Sequence, residues 1–178
     1  MRTFVAVFPP QRVREALFRA ARGLPASKAF RLIGPKKLHI TLKFLGNVAE
    51  DDLIRLEQAL ERLRGRHEPF EVEISGFGAF PSERRARILW TGVGEGSGPL
   101  RAVTQSVGDL LEPAGFRRER RAYVPHLTLG RAQGRGAKLD GASVSPPALR
   151  FSVSGVDLVE SVPGDGGVTY SVLETYPF

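Results

Sequence analysis

The sequence predicts an α+β fold, and three observations support this prediction. Short segments rich in β-branched and aromatic residues carry the pattern of strands. Between several of them, apolar residues recur at helical spacing. The predicted order begins β-α-β-α-β-β-α and ends in three strands, so we expect mixed or mostly antiparallel sheets with helices packed outside.

The individual elements follow from these patterns. Helices are predicted where apolar stripes follow a proline or an acidic first turn, and a loop is predicted over 134–147. The segment from Leu149 to Val162 is predicted as one strand, joined to the last strand by a turn of sequence Pro-Gly-Asp-Gly-Gly. The predicted helices are 11–21, 51–63 and 100–111, and the predicted strands are 3–8, 38–45, 70–77, 87–93, 123–129, 149–162 and 168–176.

Length and composition limit the architecture. A chain of 178 residues with 42% hydrophobic residues predicts one domain over 1–178, which can be built from two closely packed lobes. No apolar run reaches the ~18 residues of a membrane span, and the first strand pattern begins directly after the initial residues. We therefore expect a cytoplasmic protein that does not interact with membranes.

Charge and cysteine usage limit the chemistry. The net charge is +7, with five lysines and otherwise arginines on the basic side, which favours a polyanionic or phosphate-bearing partner; simple solubility charge is the alternative. There are no cysteines, which excludes disulfides, thiolate nucleophiles, zinc fingers and iron–sulfur ligation. Any catalysis must use histidine, carboxylate, hydroxyl or basic side chains.

Two of the three histidines lie in the same tetrapeptide context. The segments are His39-Ile40-Thr41-Leu42 and His126-Leu127-Thr128-Leu129. From composition alone, a given histidine has threonine at +2 and leucine at +3 with odds of roughly 0.4%. The repeat therefore predicts two half-molecules, each with one His-x-Thr strand.

The spacing of the repeat indicates phosphoryl chemistry. Residues i and i+2 of a strand project to the same face, so each motif places an imidazole beside a hydroxyl. On the first strand Leu38, Ile40, Leu42 and Phe44 are expected to face the core. If both strands face one cleft, one histidine can take a proton from water and the other can give one to a leaving oxygen, while the threonines hold the phosphate oxygens. No metal is required.

Other interpretations of the motifs remain open at this point. A single His-x-Thr strand is most often structural, but the duplication argues against that interpretation. A zinc site lacks a convincing ligand set, because the two histidines are far apart in sequence with no cysteine and no His-x-x-x-His.

The motifs and their flanks resemble a known family. The stretches GPKKLHITLKFLGNV and YVPHLTLGR, with the opening RTFVAVFPP and the ending TYSVLETYPF, are similar to the two-histidine phosphoesterase superfamily, specifically its RNA 2',3'-cyclic phosphodiesterase branch, also called the 2'-5' RNA ligase family. The resemblance covers essentially the whole chain. It implies a bilobal fold with two sheets related by a pseudo-two-fold axis and a basic central cleft.

The resemblance also implies an activity and a set of site residues. It implies hydrolysis of terminal 2',3'-cyclic phosphates on RNA to 2'-phosphomonoesters, without metal or cofactor, with His39 as proton donor and His126 as proton acceptor. Sequence spacing alone does not assign these two roles. Thr41, Thr128 and Arg131 are implied as phosphate ligands. The partner is RNA with cyclic phosphate ends, no obligate protein partner is implied, and a monomer is expected. The alternatives are reversible 2'-5' ligation of cyclic-phosphate and 5'-hydroxyl ends and a non-catalytic module that binds RNA ends.

Two features of the sequence leave their roles open. Many family members carry an aromatic residue shortly before the first motif, whereas this chain reads Phe30-Arg31-Leu32-Ile33 there. Stacking of a base would then depend on Phe30 or Phe44. The arginine-rich segment 117–121 either follows RNA phosphates or forms a solvated loop.

Overall fold

The computed structural model describes residues 1–139, 145–164 and 167–178. Parts of the predicted loop over 134–147 and of the predicted turn before the last strand lie outside these residues. The helices are α1 (Gln11–Arg22), α2 (Glu50–Glu61) and α3 (Ser97–Leu111). The strands are β1 (Arg2–Val7), β2 (Phe30–Leu32), β3 (Ile40–Asn47), β4 (Phe70–Phe80), β5 (Ile88–Val93), β6 (His126–Ala132), β7 (Arg150–Val153), β8 (Gly155–Val162) and β9 (Thr169–Pro177).

The strands form two antiparallel halves that meet in the middle of one hydrogen-bonded path. The order along the path is β7-β4-β5-β6-β3-β1-β8-β9, and β2 pairs with β6 beside it. We call β3, β1, β8 and β9 the first half, and β6, β5, β4 and β7 the second half. Each half begins at the junction with one of the two His-x-Thr strands, so the predicted α+β fold with pseudo-two-fold symmetry is confirmed.

A single residue pair joins the halves. Ile40 of β3 pairs with Leu127 of β6 in antiparallel register, and both side chains are fully buried. The pair lies at the centre of the two tetrapeptides, so the local two-fold axis passes between the motifs. Their apolar neighbours Leu38, Leu42 and Leu129 are also buried, as the alternation predicts.

One hydrophobic core connects the helices to both halves. The apolar stripes of α1, α2 and α3 are buried in the same cluster as the inner sides of the strands. Helix α3 packs against β3 and α2. The helices therefore cover one side of the strands and leave the opposite side for the histidines. Among the described residues, none of the helices combines the length and apolar character that crossing a membrane requires.

A smaller apolar cluster lies on the opposite face of the first half. It contains Phe4, Ala6 and Val159, with Phe8 and Tyr170 packed against it. Strand β1 is thus apolar on both faces, because its alternate residues Val5 and Val7 belong to the main core. We call the face that carries Phe4 and Ala6 the site face.

The prediction of one strand from Leu149 to Val162 was wrong. The chain forms β7, interrupts at Ser154 and continues as β8. Strand β7 pairs with β4 in the second half, whereas β8 pairs with β1 in the first. A strand-like pattern that continues through 149–162 does not reveal that its two parts pair with different strands, because strand pairing is set by tertiary structure. The three-residue strand β2 was not predicted either.

The expectation that Phe44 faces the core was also wrong. Between Thr41 and Lys43 the pairing of β3 with β1 shifts, because Leu42 is one extra residue on β3. Such a bulge reverses the alternation that follows it. Lys43 is consequently buried, and Phe44 lies on the site face with 70% of its surface exposed.

Gly78 supplies a testable packing constraint in the second half. A Cβ atom at Gly78 would lie 2.3 Å from the ring of Trp90, which pairs with it across β4 and β5. We expect Gly78→Ala to lower the free energy of unfolding by about 1–3 kcal/mol, the usual cost of overpacking. Urea unfolding followed by far-ultraviolet circular dichroism measures this change.

Gly108→Ala is the matched control. Gly108 lies inside α3, where an added Cβ atom meets nothing within 4 Å. We expect a gain of about 0.5–1 kcal/mol from the lower entropy of the unfolded chain. Equal stability of the two variants would contradict the assigned packing of Trp90.

Candidate two-histidine site

The junction between β3 and β6 brings the two motifs together. Because Ile40 pairs with Leu127 in antiparallel register, His39 lies beside Thr128, and Thr41 lies beside His126. All four side chains belong to positions that alternate with buried leucine and isoleucine, and all four are partly exposed. The structure therefore places the four sequence-predicted residues in one cluster.

His39 is held by a backbone carbonyl and by aromatic rings. Its Nδ1 lies 2.7 Å from the carbonyl oxygen of Lys37. The imidazole contacts Phe4, Phe8 and Tyr170, with ring centroids at 4.9, 5.3 and 5.2 Å. These contacts fix the position and the orientation of the ring at the start of β3.

His126 is held in the same way on the other half. Its Nδ1 lies 2.6 Å from the carbonyl oxygen of Val124, again two residues earlier in the chain. Phe80 meets the imidazole edge-on at 5.2 Å, and Trp90 lies at 6.2 Å. The two-fold relation between the halves thus extends to the hydrogen bonds of the histidines.

These hydrogen bonds determine the neutral tautomer of both rings. A carbonyl oxygen can only accept, so Nδ1 must carry the hydrogen and donate it. In a neutral imidazole Nε2 then carries the lone pair, and in an imidazolium Nε2 carries the second proton. Each ring therefore presents Nε2 as its reactive atom, able to take a proton or to give one.

The environment of His39 favours its neutral form. Burial lowers the pKa of His39 below its usual value of 6.5, and the hydrogen bond to the carbonyl of Lys37 partly opposes this effect. The nearby positive form of His126 lowers the pKa of His39 further. The charge of His126 therefore acts on the His39 ring.

Thr41 and Thr128 complete a set of hydroxyl donors next to the rings. Neither hydroxyl hydrogen-bonds to another residue in the described part of the chain. By contrast, Thr91 on the adjacent strand β5 is buried and donates to the carbonyl of Gly76. Thr41 and Thr128 are thus available to a ligand that lies beside the imidazoles.

A second bulge places Arg131 on the site face. Thr128 pairs with Trp90, and Gly130 pairs with Leu89, the neighbour of Trp90 on β5. Two steps along β6 thus match one step along β5, so Leu129 is an extra residue on β6. Strict alternation from Thr128 would turn Arg131 toward the core. The shift instead returns Arg131, which is exposed, to the face of His126 and Thr128.

Arg31 is a site-face residue that the sequence analysis missed. It lies on β2 directly opposite Arg131, so the two guanidinium groups share one face. Both residues are exposed, and neither forms an ion pair within the described segments. No sequence signal could have found Arg31, because β2 is too short to show a pattern. Like charges in opposite positions repel, so the pair favours an anion between or above them.

The arginine-rich segment 117–121 lies elsewhere. The carbonyl of Arg117 accepts a hydrogen bond from the ammonium group of Lys43, which is buried on the side of β3 that faces α3. Burial lowers the pKa of Lys43. Arg118 forms ion pairs with Asp109 and Glu112. Within the described part of the chain, the hydrogen bond and the ion pairs of this segment connect it to Lys43 and to the C-terminal end of α3, not to the histidines.

The two candidate stacking residues lie in different environments. Phe30 is 4% exposed and belongs to the main core, so it cannot stack on a ligand. Phe44 remains on the site face, where it contacts Phe4. Within residues 1–139, 145–164 and 167–178, no three His, Cys, Asp or Glu side chains converge as they would to hold a metal ion.

Two solved structures resemble this chain over nearly its full length. The crystal structure of TT0787 of Thermus thermophilus matches it with a TM-score of 0.85 and 28% identity, covering 99% of this chain and 97% of that one. The crystal structure of E. coli LigT complexed with 3'-AMP has the same TM-score with 23% identity and the same coverage, which shows a shared fold.

Sequence comparisons give the same result. A protein from Methanothermobacter thermautotrophicus named RNA 2',3'-cyclic phosphodiesterase is 36% identical over 183 residues, covering 99% of this chain and 98% of that protein. The family model described as the 2'-5' RNA ligase superfamily matches residues 9–165. With the doubled motif, the joined strands and these matches, the chain belongs to the 2'-5' RNA ligase superfamily.

Proposed function

We propose that this chain is a metal-independent phosphodiesterase that hydrolyses terminal 2',3'-cyclic phosphates on RNA to 2'-phosphomonoesters. The observation that carries the proposal is the pair of imidazoles, each held through Nδ1 by a backbone carbonyl and each on a residue that lies beside the other strand's threonine. The relative from Methanothermobacter thermautotrophicus carries the name of this activity.

In the proposed reaction His126 is the general base and His39 is the general acid. His126 Nε2 takes a proton from water as the water oxygen attacks phosphorus. The bond from phosphorus to the 3'-oxygen breaks, and His39 Nε2 gives its proton to that oxygen. The product keeps the phosphate on the 2'-oxygen, and two proton transfers of this kind contribute typically 10²–10⁴-fold each.

The remaining site residues bind the phosphate. Thr41 and Thr128 donate hydrogen bonds to its non-bridging oxygens, and Arg131 adds a charge-assisted contact from the same face. Arg31 extends the positive surface next to Arg131, which suits the phosphate that precedes the terminal nucleotide. Binding RNA in this way requires both halves, so residues 1–178 act as a single bilobal domain.

Ligation is the second candidate activity. In this reaction a 5'-hydroxyl takes the place of water at His126 and attacks phosphorus, the bond from phosphorus to the 3'-oxygen breaks, and a 2'-5' linkage forms; the family name includes this activity. Water at high concentration favours hydrolysis. A module that only holds RNA ends is less well supported, because simple retention needs no pair of imidazoles that are both held through Nδ1 by backbone carbonyls.

Removal of either histidine tests the proposal. We expect His39→Ala and His126→Ala to lower kcat at least ~10²-fold on a short RNA that ends in a 2',3'-cyclic phosphate, because each loses one proton transfer. The assay contains EDTA, and phosphorus NMR identifies the terminal phosphate of the product.

His67→Ala is the matched control for these variants. His67, the third histidine, makes its contacts outside the two motifs. Its Nε2 lies 3.0 Å from the hydroxyl oxygen of Ser106, and its ring packs on Phe178. We expect it to keep wild-type kcat. A wild-type protein that binds the RNA but leaves the cyclic phosphate intact would refute the phosphodiesterase.

The pH dependence tests the assignment of the acid. The free enzyme must hold His39 protonated for this role, but burial and His126 lower the pKa of His39 below 6.5. Because kcat/KM reports groups of the free enzyme, we expect it to fall as pH rises through this lowered pKa, and so to be smaller at pH 8 than at pH 6.

Two further measurements support the interpretation of that profile. NMR titration of the His39 ring should give the same lowered pKa, and His126→Gln should move it upward, because the charge of His126 is removed. If the alkaline limb of kcat/KM lay well above 6.5 and did not follow the titration of His39, the acid would be another group.

A further inference from the structure

We propose that a cleft on the far side of His126 from His39 is an acceptor subsite, which binds the 5'-hydroxyl end of a second RNA strand. This inference rests on the proposed function, because it takes His126 as the group that deprotonates the attacking oxygen. It adds a second substrate site that the two motifs do not contain.

The cleft lies next to His126. Gly92 of β5 pairs with His126, and β5 lies on the opposite side of β6 from β3 and His39. The cleft has a volume of about 330 Å³, within the range of small-molecule sites. Val124, whose carbonyl oxygen accepts the hydrogen bond from His126 Nδ1, also contributes to its wall. The lining includes Ser75, Gly76, Trp90, Gly92, Arg101 and Val124.

The two halves differ at the position beside each histidine. Phe8 and Gly92 occupy equivalent positions, because each follows the residue that pairs with the central residue of its own half's motif. The ring of Phe8 lies 5.3 Å from that of His39, whereas Gly92 has no side chain. The space beside His39 is therefore filled by an aromatic ring, and the space beside His126 is open.

The backbone at the floor of the cleft favours glycine at two positions. A Cβ atom at Gly92 would lie 3.0 Å from the carbonyl oxygen of Ser75 and 3.3 Å from the ring of Trp90. Gly76 is an extra residue on β4 between the partners of Gly92 and Thr91, and its φ of 55° lies in the left-handed region. The floor of the cleft thus carries no side chain at either position.

Arg101 gives the cleft a positive charge. It lies near the start of α3 and is exposed. In the described part of the chain its guanidinium group hydrogen-bonds to the hydroxyl of Ser97 at 3.4 Å and has no carboxylate partner. A guanidinium group of this kind suits a phosphate. Arg31 and Arg131 lie at the opposite end of β6, so the two positive surfaces can hold two different strands.

The proposed chemistry decides what the cleft binds. In an in-line displacement the attacking and leaving oxygens lie on opposite sides of phosphorus. The leaving 3'-oxygen is on the side of His39, so the rest of any attacking alcohol extends past His126 toward Gly92. A 5'-terminal nucleotide offers a primary hydroxyl to His126 and the phosphate on its 3'-oxygen to Arg101.

The reaction at this subsite joins the two strands. The 5'-oxygen gives its proton to His126 Nε2 and bonds to phosphorus. The bond from phosphorus to the 3'-oxygen breaks, and His39 Nε2 gives its proton to that oxygen. The product is a 2'-5' phosphodiester beside a free 3'-hydroxyl.

The test follows ligation and hydrolysis in the same reaction. A short RNA that ends in a 2',3'-cyclic phosphate is incubated with the dinucleotide ApA or with adenosine, which has the 5'-hydroxyl but no phosphate. The rates of formation of 2'-5' product and of 2'-phosphate are measured for the wild type, Arg101→Ala, Gly92→Ala and Arg62→Ala. Arg62, exposed at the end of α2, is the control for loss of a surface charge.

We expect the wild type to use ApA with a lower KM than adenosine, because only ApA carries a phosphate for Arg101. Arg101→Ala should raise KM for ApA about 5- to 30-fold and leave KM for adenosine unchanged. Hydrolysis in the absence of an acceptor should continue at the wild-type rate, and Arg62→Ala should resemble the wild type throughout.

Gly92→Ala tests the floor of the cleft. Its added methyl group should lower the ligated share of the product with both acceptors, and circular dichroism checks that the variant is folded. Absence of ligated product from the wild type, equal use of ApA and adenosine, or equal losses of ligation and hydrolysis in Arg101→Ala would overturn the inference.

Binding measured without turnover separates this inference from the proposed function. In an amide NMR titration, ApA should shift the signals of Gly76 and Gly92 in the wild type but not in Arg101→Ala. These shifts without conversion of the cyclic phosphate would refute the phosphodiesterase and retain the acceptor subsite. Hydrolysis of the RNA with neither ligated product nor these shifts would do the opposite.

Discussion

The single antiparallel pair between Ile40 and Leu127 is the constraint on which the site depends. Both side chains are fully buried, so neither strand can slide along the other without exposing apolar surface. A slip of one residue would turn the histidines and threonines into the core. Register and chemistry are thus specified by the same contact, and the helices that bury this pair also stabilise the geometry of the two imidazoles.

The bulges in β3 and β6 explain how two similar strands come to carry different side chains on the site face. Each strand keeps the same His-x-Thr geometry up to its bulge, at Leu42 or Leu129. Beyond the bulge the alternation between the core side and the site face is reversed. The common part places an imidazole and a hydroxyl side by side in both halves, whereas the residues beyond it differ, with Phe44 on one strand and Arg131 on the other.

Much of the fold and most of the site follow from local patterns in the sequence. The doubled motif identifies His39, Thr41, His126 and Thr128, because alternation within four residues survives in any sheet. It does not predict Phe44 on the site face, since one extra residue in a strand leaves no signature in an apolar run. Arg31 and the interruption at Ser154 depend on which strands pair, and pairing is determined by contacts between distant segments.

The cross-strand pair of Arg31 and Arg131 links folding to ionic conditions. Two guanidinium groups in opposite positions repel each other in the empty protein, and added salt screens this repulsion. A bound polyanion relieves the same repulsion, and salt weakens that attraction. Added salt therefore acts in opposite directions on the two states. It stabilises the protein that has no anion at this arginine pair, and it weakens the complex with a polyanion. The difference in stability between the two states is therefore largest in dilute buffer.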